Sequence, residues 1–299
     1  CGVRLVNLRA LSCKKMKKCP IRITASNLAK YAGLNQFCDE AERTSTFWKH
    51  NQHLARKLGR YDVIADEPPP VTRVEAHVKA APQSVRKQLC EALGAPVALV
   101  AAPALIASAI QDRVVAPAVK QKTAAKADAA LKTDVARTLP AEVQTVIAHD
   151  VQLQRGVKRE ASNLDNVQQT TGRVVTARNN SYMDCKLFDL PLSEDDNVCY
   201  EVWLSGMIDG AFADTGHVVE AKERRNRLFR RVVPYECVQL HCYMHLTNTS
   251  RALLRERLDE EAIEHWVDFD PVFWDTCLQK LRDFLSTTCY PSMCDNKTE

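Results

Sequence analysis

With 299 residues, 45% of them hydrophobic, the chain is long enough for one large domain or two small ones and for a substantial buried core. Forty-one Lys and Arg against 37 Asp and Glu leave a net charge of +4, too little to draw nucleic acid unless the basic residues cluster. Twelve cysteines without a Cys-x-x-Cys pair exclude a disulfide-stapled module and read as reduced thiols of an intracellular protein, and the apolar run Leu99 to Ile110, broken by Pro103, is shorter than the about 20 residues of a membrane span.

Lys14, Lys15, Lys17, Lys18 and Arg22 form a basic run that enters a helix capped by Thr24 or Ser26 and continuing through Leu28, Ala29 and Tyr31 to Gly33. A helix start with free amides beside Arg22 suits an anion. Phe37, Phe47 and Trp48 supply apolar packing for this N-terminal part, 1–61. From Asp62 the composition shifts. Pro68, Pro69 and Pro70 break the chain, and an Ala-rich stretch with Pro82, Pro96, Pro103 and Pro117 follows, so 62–142 reads as an insertion, formed either of helices over 76–93 and 119–139 or of a partly disordered linker. It contains no candidate ligand or base, and shortening it is expected to leave the chemistry elsewhere intact.

The remainder, 143–299, begins with a helix whose apolar side is Val143, Ile147, Val151 and Leu153. Gly156 interrupts it, and Glu160, one turn beyond, can reach a neighbouring site. Strands are expected over 173–177 and 183–188. The stretch from Tyr200 to Ala221 reads as a β-hairpin turning at Asp214, Thr215 and Gly216. Glu220 and Lys222 share a strand face, and Asp209 joins them if the turn has an even number of residues or if Gly210 bulges; with an odd, unbulged loop it faces away. Two carboxylates converging on one point repel unless a cation neutralises them, and hard oxygen ligands suit Mg²⁺ or Mn²⁺. Lys222 beside them is placed to orient or deprotonate water, which points to phosphodiester hydrolysis.

Arg224, Arg225, Arg227, Arg230 and Arg231 supply the clustered charge that the composition alone does not, and such a segment can track a phosphate backbone without reading bases. Pro234 opens a helix with Gln239 and Tyr243 on one face, and Gln239 can reach back to the site. His241 and His245, also four apart, lack the further ligands that zinc needs and read as hydrogen-bonding surface histidines. A late strand over 264–269 and an amphipathic helix from Pro271 to Leu285 complete the pattern.

Asp209 followed by Glu220, Ala221 and Lys222 resembles the PD-(D/E)XK nuclease motif, and within it the lambda exonuclease or YqaJ-type viral recombinase family. Arg22 to Ser26 is similar to that family's N-terminal signature, Gly156 to Glu160 with Thr170 to Gly172 to its helix carrying a Gly and a Glu, and Gln239 to Met244 to its Gln/Tyr helix. Ile208 stands where the family usually has Pro, and Met207 where some members have Ser. The resemblance implies an α/β, restriction-endonuclease-like core, with a central mixed sheet flanked by helices and interrupted by the Ala-rich insertion. It implies a Mg²⁺-dependent (or Mn²⁺-dependent) DNA exonuclease in which Asp209, Glu220 and the Ala221 carbonyl bind metal, Lys222 handles the water, and Glu160 and Gln239 complete the site. Arg22, Ser26, Arg224, Arg225, Arg227 and Tyr243 are the residues expected against DNA, above all at duplex ends.

The role implied is end processing in viral or phage-type recombination or replication, inside a cell, beside a strand-annealing protein and as a homo-oligomer, without membrane contact. Gln239 and Tyr243 also fit a Gln-x-x-x-Tyr nuclease carrying an iron-sulfur cluster, for which Cys277, Cys289 and Cys294 are irregularly spaced. A DNA-binding protein with a dead site on the same fold is the remaining alternative. The chain opens on Cys1 rather than Met and reads as a fragment.

Overall fold

The basic run ahead of Ala25 ends as a strand that leads directly into the expected helix, with Thr24 at its N-cap position. In the computed structural model, which describes residues 17–58, 60, 73–179, 182–191 and 198–289, β1 (Lys17–Thr24) buries Cys19, Ile21 and Ile23 and exposes Lys18, Pro20 and Arg22, the period of two of a half-buried strand. Lys14, Lys15, Pro68 to Pro70 and Cys294 lie outside the described residues. β1 runs parallel to β4 (Val198–Met207), whose other edge takes β3 (Tyr182–Pro191) antiparallel. The N-terminal part is therefore built into the same sheet as the C-terminal core and is not only helical.

The expected hairpin is divided between two sheets. β4 ends at Met207, the chain turns through Ile208 and Asp209, and β5 (Gly210–Phe212) enters a second sheet with β6 (Val218–Glu223). That sheet has five strands in the order β2 (Val175–Thr176), β5, β6, β7 (Arg251–Leu258) and β8 (Glu261–Asp268), with β6 and β7 parallel and the other pairs antiparallel. Two glycines bracket the crossover because side chains crowd it. A Cβ on Gly206 would lie 2.9 Å from the Tyr243 ring, and one on Gly210 would lie 2.7 Å from Val175 Cγ1. β7 has no signal in the sequence reading: its centre carries Arg255 and Glu256, both buried, so the expected apolar pattern is absent.

Helices cover both faces of the second sheet. Val218, Ala252 and Leu254 face the main core, which they share with α11 (Pro234–Thr247), α12 (Pro271–Cys289) and α1 (Ala25–Tyr31). The alternate residues Val219 and Leu253 face Leu164 and Val167 of the long helix α10 (Ala141–Thr171). α10 runs without a break through Gly156 and stops at Gly172, whose φ of 67° is the left-handed conformation that ends a helix. A mixed α/β architecture results, with the strands as its middle layer. Phe37, expected in the core, is 71% exposed, whereas Phe47 and Trp48 of α2 (Glu40–His50) are buried.

The Ala-rich stretch is helical. After α3 (Gln52–Lys57) the described chain resumes with α4 (Arg73–Ala80), α5 (Gln83–Ala92) and α6 (Pro103–Ile110), and continues through α7 (Ala116–Val119), α8 (Ala124–Ala130) and α9 (Asp134–Thr138). Val78, Leu89, Ile106, Ile110 and Val115 bury against Val143, Ile147 and Val151, so the first half of α10 is part of this unit's own core. Deleting 73–139 would expose that face, and the loss of several buried aliphatic contacts costs more than a single solvent-facing helix can recover. The expected result reverses the sequence expectation: the deletion variant loses helicity in α10, read by circular dichroism, and with it the placement of Glu160.

Candidate active site

The crossover between the two sheets leaves β6 with a free edge beyond Val219, and the acidic residues gather there. β5 pairs Gly210 with Val219 and Ala211 with Val218, and Phe212 N–H donates to the His217 carbonyl at 2.9 Å. The four residues between Phe212 and His217 satisfy the even-turn condition, and continuing the register sets Asp209 opposite Glu220. Asp209 Oδ2 accepts the Ala221 amide at 2.8 Å. Because the N–H and C=O of one strand residue point to the same side, the Ala221 carbonyl also faces this gap.

Glu220 is 2% exposed, and one of its oxygens holds the Lys222 ammonium while the other, Oε2, is buried without a hydrogen-bond partner. A carboxylate oxygen left bare in this way is costly unless a cation meets it. Lys222 keeps 28% of its side chain exposed and also donates to Gln239 Oε1 at 3.3 Å. Gln239 is fixed in turn by donating to the Tyr243 hydroxyl at 2.9 Å.

Glu160 comes from the other face of the sheet. Its carboxyl lies near enough to Asp209 to raise that group's pKa, and it accepts Asn179 Nδ2 at 2.7 Å. Three acidic side chains from α10, the crossover and β6 thus meet around Asp209. Burial, then the Glu220 charge, then Glu160 push the Asp209 carboxyl far above the usual carboxylate range. Burial works to lower the Lys222 ammonium, but the Glu220 and Asp209 charges outweigh it and its pKa is raised. Lys222 is therefore a fixed cation here, suited to orient a water rather than to deprotonate one.

Residues beside Glu160 and Lys222 tie the elements together. Arg159, next to Glu160, pairs with Glu223, next to Lys222, at 2.6 Å, and Arg225 pairs with Asp128 of α8 at 3.0 Å. The helical unit is thereby fastened to the end of β6, a link that no local motif in the sequence announced.

The residues expected against nucleic acid separate into distinct groups. Arg22 and Ser26 are exposed on either side of Thr24, at the end of β1 where Ala25 packs near Gly206. Arg227 is exposed and, among the described residues, has no carboxylate partner, whereas Arg225 is half committed to Asp128. Arg224 is not available to a phosphate: it forks onto Glu236 at 2.6 and 2.9 Å and reaches Glu256 at 3.0 Å. Tyr243 is also withdrawn, since it is 6% exposed and its hydroxyl positions Gln239.

The anchor of the Arg-rich segment is Glu256, fully buried on β7. It accepts the Phe229 and Arg230 amides at 2.8 and 2.7 Å as well as Arg224 and His265. Burial works to raise its pKa, but these donors overcome it and hold it low. His241 is buried rather than on the surface; its Nδ1 meets the Cys237 carbonyl at 2.8 Å and its Nε2 accepts the Asp270 amide at 3.0 Å, leaving nothing for zinc. Cys277 and Cys289 are buried in α12, and among the described residues no three His, Cys, Asp or Glu side chains form a ready-made metal cage. A Mg²⁺ ion, which keeps several waters and takes one or two carboxylates from the protein, does not require one.

Among the described residues no helix is long and apolar enough to cross a membrane. No protein-family model matches the chain, and no curated protein matches it significantly. Several solved structures are similar to part of it at low identity. An alkaline exonuclease (LHK-Exo) from Laribacter hongkongensis is 16% identical, over 59% of this chain and 92% of that one, with a TM-score of 0.34. Its complex with dAMP is 16% identical over the same shares, with a TM-score of 0.35. A phage-related exonuclease from Haemophilus somnus 129PT is 11% identical, over 60% of this chain and 91% of that one, with a TM-score of 0.33.

Proposed function

We propose that this chain is a metal-dependent DNA exonuclease of the PD-(D/E)XK type, hydrolysing phosphodiester bonds at DNA ends. The observation that carries the reading is the bare, buried Glu220 Oε2 at a strand edge, with Asp209 opposite it and the Ala221 carbonyl facing the same gap. Asp209, Glu220 and that carbonyl are the donors that would hold Mg²⁺ or Mn²⁺, and the set of hard oxygens fits such an ion. Once bound, it supplies Lewis-acid stabilisation of charge on the phosphoryl oxygens.

The chain's own residues do the rest. Lys222, steadied by Glu220 and Gln239, donates a hydrogen bond that orients the attacking water. Glu160, itself held by Asn179, stands behind Asp209 and completes the acidic set. Arg227, Arg22 and Ser26, which lack carboxylate partners among the described residues, hold backbone phosphates and set register without reading bases. End processing in recombination or replication, within a cell and beside a strand-annealing partner, is the role that this activity fits.

Digestion of end-labelled linear duplex beside closed circular DNA, with and without Mg²⁺, tests the reading directly. Loss of the linear DNA alone, and only with Mg²⁺, is expected. Nicking of the circle would make the protein an endonuclease, and no digestion of either would leave it a binding protein.

A further inference from the structure

Beside the candidate active site lies a groove of about 280 Å³, of whose lining the chemistry above uses only Arg227. It is lined from two directions: Phe37 comes from the loop after α1, and Arg227, Phe229, Arg231 and Tyr235 from the segment that links β6 to α11. Phe37 is 71% exposed, exceeded among the large apolar side chains of the described residues only by Val157 and Val272, and its ring sits edge-on to Tyr235 with centroids 6.1 Å apart. A phenylalanine held open to solvent by a neighbouring ring gains little for folding. Arg227 and Arg231 are exposed at the same groove, and among the described residues neither has a carboxylate partner. Leu228 and Val233 are buried beneath it, and the Phe229 and Arg230 amides are pinned by Glu256, so the wall is fixed.

The groove is also in line with the chemistry. Tyr235, Gln239 and Tyr243 recur every four residues on one side of α11, and Gln239 holds Lys222. One such step is about 6 Å along the helix, so the groove opens within one or two nucleotides of Lys222.

We propose that this groove is a subsite for one unpaired base of the DNA strand being cut, stacked on Phe37 and Tyr235 with its flanking phosphates on Arg227 and Arg231. The inference rests on the nuclease reading and extends it to the form of the substrate: the strand reaches the site single-stranded, or is made so there. Aromatic rings accept any base by its face, while unpaired arginines suit only an anionic backbone. That combination of one open ring pair and two guanidinium groups without carboxylate partners among the described residues is complementary to a nucleotide and to neither an apolar helix nor a bare anion.

The test is binding of a fluorescent oligothymidylate to the full chain with divalent ions withheld, so that nothing is cleaved. Phe37→Ala is expected to weaken binding on the order of 5- to 150-fold, the range for losing one base-aromatic stack, and Phe37→Trp to restore it. A single abasic position moved along the strand should produce the same loss at one place, and on that strand Phe37→Ala should cost nothing more. Arg231→Ala should lower the salt dependence of binding by about one phosphate contact. Unchanged affinity in Phe37→Ala, or an equal further loss on every abasic strand, overturns the subsite. Mg²⁺-dependent digestion that persists with such a result leaves the nuclease reading standing, whereas base-dependent binding without any digestion removes that reading and keeps the subsite.

Discussion

Asp209→Asn or Glu220→Gln is expected to abolish Mg²⁺-dependent cleavage and to leave DNA binding in place. Both changes keep the shape of the side chain and remove one of the two charges that the ion needs, while the exposed arginines that hold phosphates are untouched. Cleavage of end-labelled duplex and anisotropy of the uncut complex separate the two effects, and a variant that still digests DNA with Mg²⁺ would end the assignment.

The same substitution has a signature in stability. In the folded, metal-free protein the cluster around Asp209 holds a proton up to about pH 10, whereas an unfolded Asp releases it near its ordinary value of 3.8. The native state therefore binds more protons across that window. The contribution is fully present below the unfolded value, declines as pH rises, and is gone once pH has passed through the folded one, at most about 1.4 kcal/mol per pH unit. Asp209→Asn should flatten this fall in thermal melts taken between pH 6 and 9, and saturating Mg²⁺ should flatten it in the wild type. Parallel pH profiles for wild type and variant would show that Asp209 does not hold this proton.

Lys222→Arg is the second substitution with a large expected effect. Charge is conserved, so a role as a distant counter-ion would tolerate it. The observed ammonium, however, sits between a Glu220 oxygen and Gln239 Oε1, a position that suits a compact point donor. A planar guanidinium cannot occupy it without displacing Gln239, whose other bond is to Tyr243. Cleavage is expected to fall at least about 10²-fold with DNA affinity nearly unchanged, as for loss of a positioned group acting in the transition state. Because Lys222 titrates above its ordinary 10.5, the wild-type rate should show no lysine inflection below that value. Turnover near wild type in Lys222→Arg would mean that the residue only screens charge.

Some of this was legible in the residues alone, and the reason is that those features are local. The alternation of Glu220, Ala221 and Lys222 fixes which side chains share a face of β6, Pro234 starts α11, and the i, i+4 spacing sets Gln239 beside Tyr243. The carboxylate pair and its lysine follow from strand geometry wherever the strand is placed. The even turn between Phe212 and His217 was one of two open possibilities in the sequence, and only the pairing of Gly210 with Val219 chose it.

Tertiary structure decided what depends on partners far away in the chain. It split the expected hairpin at Asp209, because β4 is held by β1 across nearly two hundred residues, and Gly206 and Gly210 let the crossover pass between packed side chains. It took Arg224 away from the nucleic-acid face, since Glu236 and Glu256 outcompete solvent for its guanidinium, and it took Tyr243 into the core. It made a folded helical unit of the Ala-rich stretch, whose small side chains pack closely only once the first half of α10 lies against them. The pairing of Arg159 with Glu223, which joins that unit's helix to β6, exists only in three dimensions, where residues 64 positions apart come within 2.6 Å.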